Sequence, residues 1–147
     1  MSEKIASKEM VFFNLGNEKF ALTAGQVKSI EEMHDIVQVP LAPDYVSGLI
    51  NLRGAIITVV DLRKRIGLQA ETAGRDMVIL VAEHNGEEVG LIVDRVLSVE
   101  VPTADAKPVP ESVSRGGAGR FYHMVLEQGN EKIVILNIDK ILALEER

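Results

Sequence analysis

The side chains able to carry acid–base, metal or nucleophilic chemistry are thinly spread along this chain. His34, His84 and His123 stand apart, none with a second His at metal-ligand helical spacing, and His84 sits beside a turn signal. They read as surface or strand-edge residues. Glu31-Glu32, Glu87-Glu88 and Glu145-Glu146 are adjacent pairs. Neighbours in sequence point to different faces of a helix or strand, so no such pair forms an acid–base couple. No Ser lies in a Gly-x-Ser-x-Gly elbow, and Gly116-Gly117-Ala118-Gly119 lacks the Lys-Ser/Thr of a phosphate loop. Cys is absent, which removes thiolate zinc sites, disulfides and a cysteine nucleophile. No enzyme chemistry, metal or cofactor is expected.

The chain has 147 residues, 46% hydrophobic and 26% charged, enough to bury the core of one domain or two very small ones. With 16 basic and 22 acidic residues the net charge is −6, which argues against broad binding to nucleic acid or anionic lipid. Arg63-Lys64-Arg65 is the local basic cluster, and it reads as a solvated helix face with Leu62 and Ile66 turned inward. Aromatics are 4%, too few for the stacking platforms of a single-strand-binding groove, so a nucleic-acid-binding barrel is the weaker alternative. No apolar stretch follows Met1-Ser2-Glu3-Lys4, so no signal peptide is expected. The longest apolar runs, Ala55–Val60 and Met77–Ala82, fall far short of the roughly 20 residues that span a bilayer. No direct membrane insertion is expected.

The elements that must position any site are mostly short β-rich runs bounded by turn residues. Met10–Leu15 with Lys19–Leu22, Gly48–Leu52 with Ala55–Val60, Met77–Glu83 with Val89–Val93, and Phe121–Glu127 with Lys132–Leu136 all read as hairpins. Four hairpins predict a mainly β barrel or pair of barrels. Thr23 and Gln26 have capping-box spacing, and Val27 and Ile30 would then share a helical face. Asp61 can cap Leu62–Ile66 with Gly67 ending the turn, and Asn137 can cap a last helix bearing Ile138, Ile141 and Leu142. This strand–turn–strand–helix unit recurs in both halves as a weak internal repeat. A boundary is expected at Gly67–Arg75, and Pro102–Arg120 reads as a long connector, mobile or working.

One segment is dense with signal. From Pro43 to Arg63 the chain offers a Pro-bounded turn, Tyr45, Gly48-Leu49-Ile50-Asn51-Leu52-Arg53-Gly54, an apolar strand and Asp61-Leu62-Arg63. Gly48 at a strand start allows close backbone approach, and Arg53 beside a turn glycine places a planar cation near a hairpin tip. The segment resembles the signature of the CheW family of chemotaxis coupling proteins. Val89-Gly90-Leu91-Ile92-Val93-Asp94-Arg95-Val96 and Ile135-Leu136-Asn137-Ile138-Asp139-Lys140-Ile141-Leu142 resemble its later motifs, so the resemblance runs from about Met10 to Leu144.

That resemblance implies one domain over 10–144 built of two packed SH3-like five-stranded β-barrels with short helices. The barrels would span about 10–70 and 75–136, the C-terminal helix 137–145, with strand exchange between barrels left open. It implies a non-enzymatic cytoplasmic adaptor, monomeric outside arrays, that joins chemoreceptor tips to the regulatory domain of the histidine kinase CheA at the membrane-associated array. The same domain occurs within CheA and at the start of CheV. Met1 just before the first strand and the end after the last helix make a free-standing coupling protein the expected form. Carried over position by position, Val27, Gly48, Arg53, Gly90 and Met124 are the expected receptor contacts, and Gly54 and Ile56 the kinase contacts. Two positions depart from the family. Ser29 stands where the family often has a Glu that pairs with the hairpin arginine, so Arg53 is expected to pair with Glu31 or Glu32 or to meet a receptor carboxylate. Met124 stands where a Gly is usual near the inter-barrel groove.

Overall fold

Four two-residue turns organise the chain into hairpins. They join β1 (Met10–Leu15) to β2 (Glu18–Thr23), β4 (Val46–Leu52) to β5 (Ala55–Asp61), β6 (Val78–His84) to β7 (Glu87–Val93) and β10 (Tyr122–Gln128) to β11 (Glu131–Leu136). At the β4–β5 turn both Arg53 (φ 52°) and Gly54 (φ 90°) take positive φ, the type I′ pattern whose twist matches the flanking strands. The computed structural model describes residues 9–68, 76–115 and 117–143. The expected boundary at Gly67–Arg75 lies mostly outside them, as do Gly116 and the end of the expected last helix.

Three further strands complete the sheets: β3 (Val27–Glu32), β8 (Arg95–Glu100) and β9 (Ala106–Pro108). A six-stranded sheet runs β8-β1-β2-β11-β10-β9, and a five-stranded sheet runs β3-β6-β7-β5-β4. All pairings are antiparallel except β2–β11 and β5–β7, each of which joins two hairpins in parallel. The hydrogen bonding therefore places the N-terminal hairpin with the C-terminal strands and leaves β3–β7 as the other sheet. The sixth strand, β9, comes from the Pro102–Arg120 stretch, which also holds α2 (Glu111–Ser114) and a 3-10 turn at Gly117–Phe121.

The helix expected at Val27–Ile30 is a strand. Thr23 makes no side-chain cap; a three-residue 3-10 turn at Ala24–Gln26 follows, and the chain then extends. Exposure alternates along β3, with Val27, Ser29 and Glu31 turned in and Lys28, Ile30 and Glu32 turned out. Ile30, expected to share a helical face with Val27, lies on the opposite face of the strand and is 44% exposed. Pairing with β6, from Val27↔Ala82 to Glu32↔Val78, satisfies backbone groups that an isolated helical turn would leave open.

The two hairpin-plus-helix units are present as expected. Asp61 accepts from the Lys64 N–H at 3.3 Å at the start of α1 (Leu62–Ile66), and Asn137 accepts from the Lys140 N–H at 3.1 Å at the start of α3 (Ile138–Leu142). Strands read as unbroken apolar runs because both their faces are covered. Val11, Phe13, Phe20 and Leu22 of the first sheet meet Val60, Leu80, Leu91 and Val93 of the second in a shared core closed by Leu62, Ile66, Ile138 and Ile141. The intervening residues line smaller cores: Met10, Phe12, Leu126 and Ile133 in the six-stranded sheet, and Ile50, Ile57, Ile79 and Ile92 in the five-stranded one.

Candidate functional site

The β4–β5 hairpin presents the dense segment at one edge of the five-stranded sheet. The Asn51 side-chain carbonyl accepts from the Gly54 N–H at 3.0 Å and braces the turn. Arg53 leaves this tip and donates through Nη2 to Glu31 Oε2 at 3.0 Å. Glu31 is the anchored partner, its side chain 14% exposed, while Arg53 stays largely open. The Ser29 hydroxyl, first, and the Arg53 guanidinium, second, hold the Glu31 carboxyl below its ordinary value. Ser29 and Glu31 share a face because a strand repeats every two residues. The carboxylate missing at position 29 is thus supplied two residues later, with Ser29 supporting it.

Ile56 follows the turn and is 62% exposed, whereas Ile57 is buried. In the ladder Ile56 lies opposite Asn51, Thr58 opposite Leu49, and Leu49 in turn pairs with Val37. Val37, Leu49 and Ile56 therefore share the outer face of this edge, and Val37 is also strongly exposed. Gly54 sits in open space at the tip.

The expected receptor positions are differently placed. Gly48 takes φ +147°, and a Cβ there would lie 2.2 Å from the Val37 carbonyl oxygen. A Cβ on Gly90 would lie 2.7 Å from Cγ2 of Ile79. At both positions a Cβ would meet atoms of this chain, a backbone oxygen at a positive φ at Gly48 and a side chain at Gly90. Val27 is half-buried against the shared core. Met124 is half-buried against the core of the six-stranded sheet and pairs with Pro108 and Ile135, next to a bulge after Tyr122.

Arg63 and Arg65 overturn the reading of the basic cluster as a solvated face. Both are buried, and only Lys64 of the three is exposed. Arg63 Nε donates to Asp94 Oδ2 at 3.1 Å, and the same oxygen accepts from the Gly16 N–H in the β1–β2 turn. Arg65 donates to the carbonyls of Ile141 (2.8 Å), Lys140 (3.1 Å) and Ala143 (2.9 Å), capping the end of α3. Its guanidinium lies 4.7 Å from the Tyr45 ring centre and 5.0 Å from that of Phe121. The five-residue α1 is packed on several sides, so helical spacing alone misassigned these cations. The Asp-Leu-Arg motif was the available signal for Arg63; nothing local marked Arg65.

His84 Nδ1 lies 2.9 Å from Asp139 Oδ1, a link between the β6–β7 hairpin and α3. Among the described residues no group of three or more His, Asp or Glu could hold a metal ion, and no helix is long and apolar enough to cross a membrane. What the surface does offer is a rigid sheet edge with exposed aliphatic side chains beside a cationic tip.

Two interleaved sheets around a shared core, with a hairpin tip displayed at one edge, define a β-rich module suited to binding protein partners. A CheW-like domain model matches residues 9–146, and the chain belongs to that family. The Treponema pallidum (strain Nichols) chemotaxis protein CheW is 32% identical over 144 residues, covering 94% of this chain and 84% of that protein. The Rhizobium meliloti (strain 1021) chemotaxis protein CheW is 32% identical over 141 residues, covering 95% and 90%. The crystal structure of the scaffolding protein TtCheW from Thermoanaerobacter tengcongensis superposes with a TM-score of 0.84 at 28% identity, covering 96% of this chain and 91% of that one.

Proposed function

We propose that this chain is a non-enzymatic chemosensory adaptor that joins the cytoplasmic tips of chemoreceptors to the regulatory domain of the histidine kinase CheA. The observation that carries the reading is Ile56: a large aliphatic side chain, 62% exposed on a rigid strand beside the Arg53-Gly54 tip. An exposed aliphatic on a framework held by a ladder gives a partner apolar area to bury without ordering a loop. Gly54 and Ile56, with Val37 on the same face, form the kinase contact. Arg53, half held by Glu31, directs its remaining donors toward a receptor carboxylate, with Val27 and Met124 as further receptor contacts. Gly48 and Gly90 act through the strands they allow to pack. Coupling needs no catalytic side chain, because the adaptor holds the kinase against a receptor whose conformation shifts. The location that goes with this reading is the cytoplasm, at the array, through partners.

The nucleic-acid alternative has no support in the geometry. Arg63 and Arg65 are engaged within the fold, the four Phe are buried, and Tyr45 and Tyr122 are half-buried, so no open ring offers a stacking platform. The test is a pull-down with CheA and receptor fragments from the same organism, followed by a reconstituted kinase assay. Binding to both, and receptor-controlled autophosphorylation that requires the adaptor, is the expected result. A parent protein that binds neither partner overturns the reading.

A further inference from the structure

Two adjoining depressions open where α1, the Gly117–Phe121 turn and α3 meet. One, of about 320 Å³, is lined by Arg65, Arg120, Phe121, Lys140 and Ala143. The other, of about 500 Å³, has Tyr45, Lys64, Arg65, Arg115 and Arg120 in its walls. Arg65 and Arg120 belong to both, so the two form one open cleft. Lys64, Arg65, Arg115, Arg120 and Lys140 surround it, and no acidic side chain among the described residues lines it, in a chain whose net charge is −6.

The five cations are not equivalent. Arg65 is engaged by the α3 carbonyls and lies against Tyr45 and Phe121, so it forms a fixed positive floor. Arg120 lies 4.5 Å from the Phe121 ring centre, which orients its guanidinium without using its N–H groups. Among the described residues no carboxylate pairs with Lys64, Arg120 or Lys140. Arg115 meets Glu111 at 3.6 Å, with both side chains strongly exposed, a partner that exchanges easily.

We propose that this cleft docks a carboxylate-rich segment of a partner protein. The proposal rests on the adaptor reading and adds a contact surface that shares no residue with the Ile56 edge. Gathering like charges from three separate elements is unfavourable until an anion arrives, and a local positive patch on an acidic protein steers acidic partners to it. A compact phosphate is the poorer fit. Phosphate sites draw on convergent main-chain N–H groups, whereas the backbone groups at this floor are the carbonyls of Lys140, Ile141 and Ala143. Cations on separate flexible stems match carboxylates spaced along an extended segment.

The experiment titrates the full chain with a fluorescein-labelled oligoglutamate peptide at low and high salt, following amide resonances in parallel. Saturable binding that weakens with salt, shifts at Lys64, Arg120 and Lys140, and about tenfold loss on Arg120→Glu are expected. Lys140→Glu should act in the same direction, so one poorly folding variant does not remove the test. Arg95→Glu, the same change in net charge on β8, should alter affinity by less than about twofold. Absence of saturable binding, or equal losses at positions 95 and 120, overturns the proposal. So does displacement of the peptide by tripolyphosphate or single-stranded DNA at lower concentration than by unlabelled peptide, because the cleft is then a phosphate site. Kinase pull-down of the same preparations reads the Ile56 edge, so failure of the cleft is distinguishable from failure of the adaptor reading.

Discussion

Arg63 on α1 donates its Nε–H to Asp94 at 3.1 Å, and through that carboxylate it is tied to the Gly16 N–H at the β1–β2 turn. The helix belongs to the five-stranded sheet's hairpin unit, and the turn belongs to the six-stranded sheet. The backbone adds a parallel tie, with the Asp94 N–H donating to the Asn14 carbonyl at 3.1 Å. The ion pair therefore fixes how the two sheets meet, and it keeps the cation of the Asp-Leu-Arg motif out of the solvent.

Removing one member should be costly. Arg63→Ala leaves the Asp94 carboxylate nearly buried without this cation and should lower unfolding free energy by about 3 kcal/mol, and Asp94→Ala, which removes the acceptor shared by Arg63 and the Gly16 N–H, should act in the same direction. Chemical denaturation measures the loss, and a double-mutant cycle should return strong coupling. Singles that each cost less than about 0.5 kcal/mol would show that the pair does not tie the sheets.

Ile56→Asp should weaken kinase binding at least about tenfold, because a carboxylate must be desolvated against an apolar partner surface. Its exposure means that stability should change by about 1 kcal/mol or less. Calorimetric titration with the kinase regulatory domain and a thermal melt give the two values. Unchanged affinity in a folded variant would remove Ile56 from the kinase contact.

Arg53 should couple to Glu31 and not to Glu32 in double-mutant cycles. The Ser29 hydroxyl and the Arg53 guanidinium hold the Glu31 carboxyl below its ordinary value in the folded protein, so its contribution to stability is fully present above its unfolded value and is lost as pH falls through the folded one. Ser29→Ala should raise the Glu31 pKa toward the ordinary value, followed by carboxyl NMR. An unmoved titration would show that Ser29 does not support the pair.

Gly48→Ala should destabilise severely, by about 3 kcal/mol or more, because a Cβ meets a backbone oxygen at a positive φ. Gly90→Ala should cost less, about 1–3 kcal/mol, because the Ile79 side chain that it meets can shift. Thermal unfolding ranks the two. Folded, fully stable variants at both positions would show open space there.

The hairpins were legible in the sequence because two-residue turns need residues that tolerate positive φ, and Gly and Asn mark them directly. The helix caps at Asp61 and Asn137 were legible for a similar reason: a short polar side chain bonding a backbone three residues ahead is a local event. The Pro43–Arg63 pattern located the candidate site on the same terms. Where the outcome depended on distant partners, local spacing misled. Val27–Glu32 carries both helical and strand periodicity, and the free edge of β6 decided for a strand. The exchange of β1 and β2 into the sheet of the C-terminal strands, the burial of Arg63 and Arg65, and the choice of Glu31 for Arg53 each join residues far apart in the chain. Such contacts depend on which surfaces pack once the chain has collapsed, and only the tertiary structure decides that.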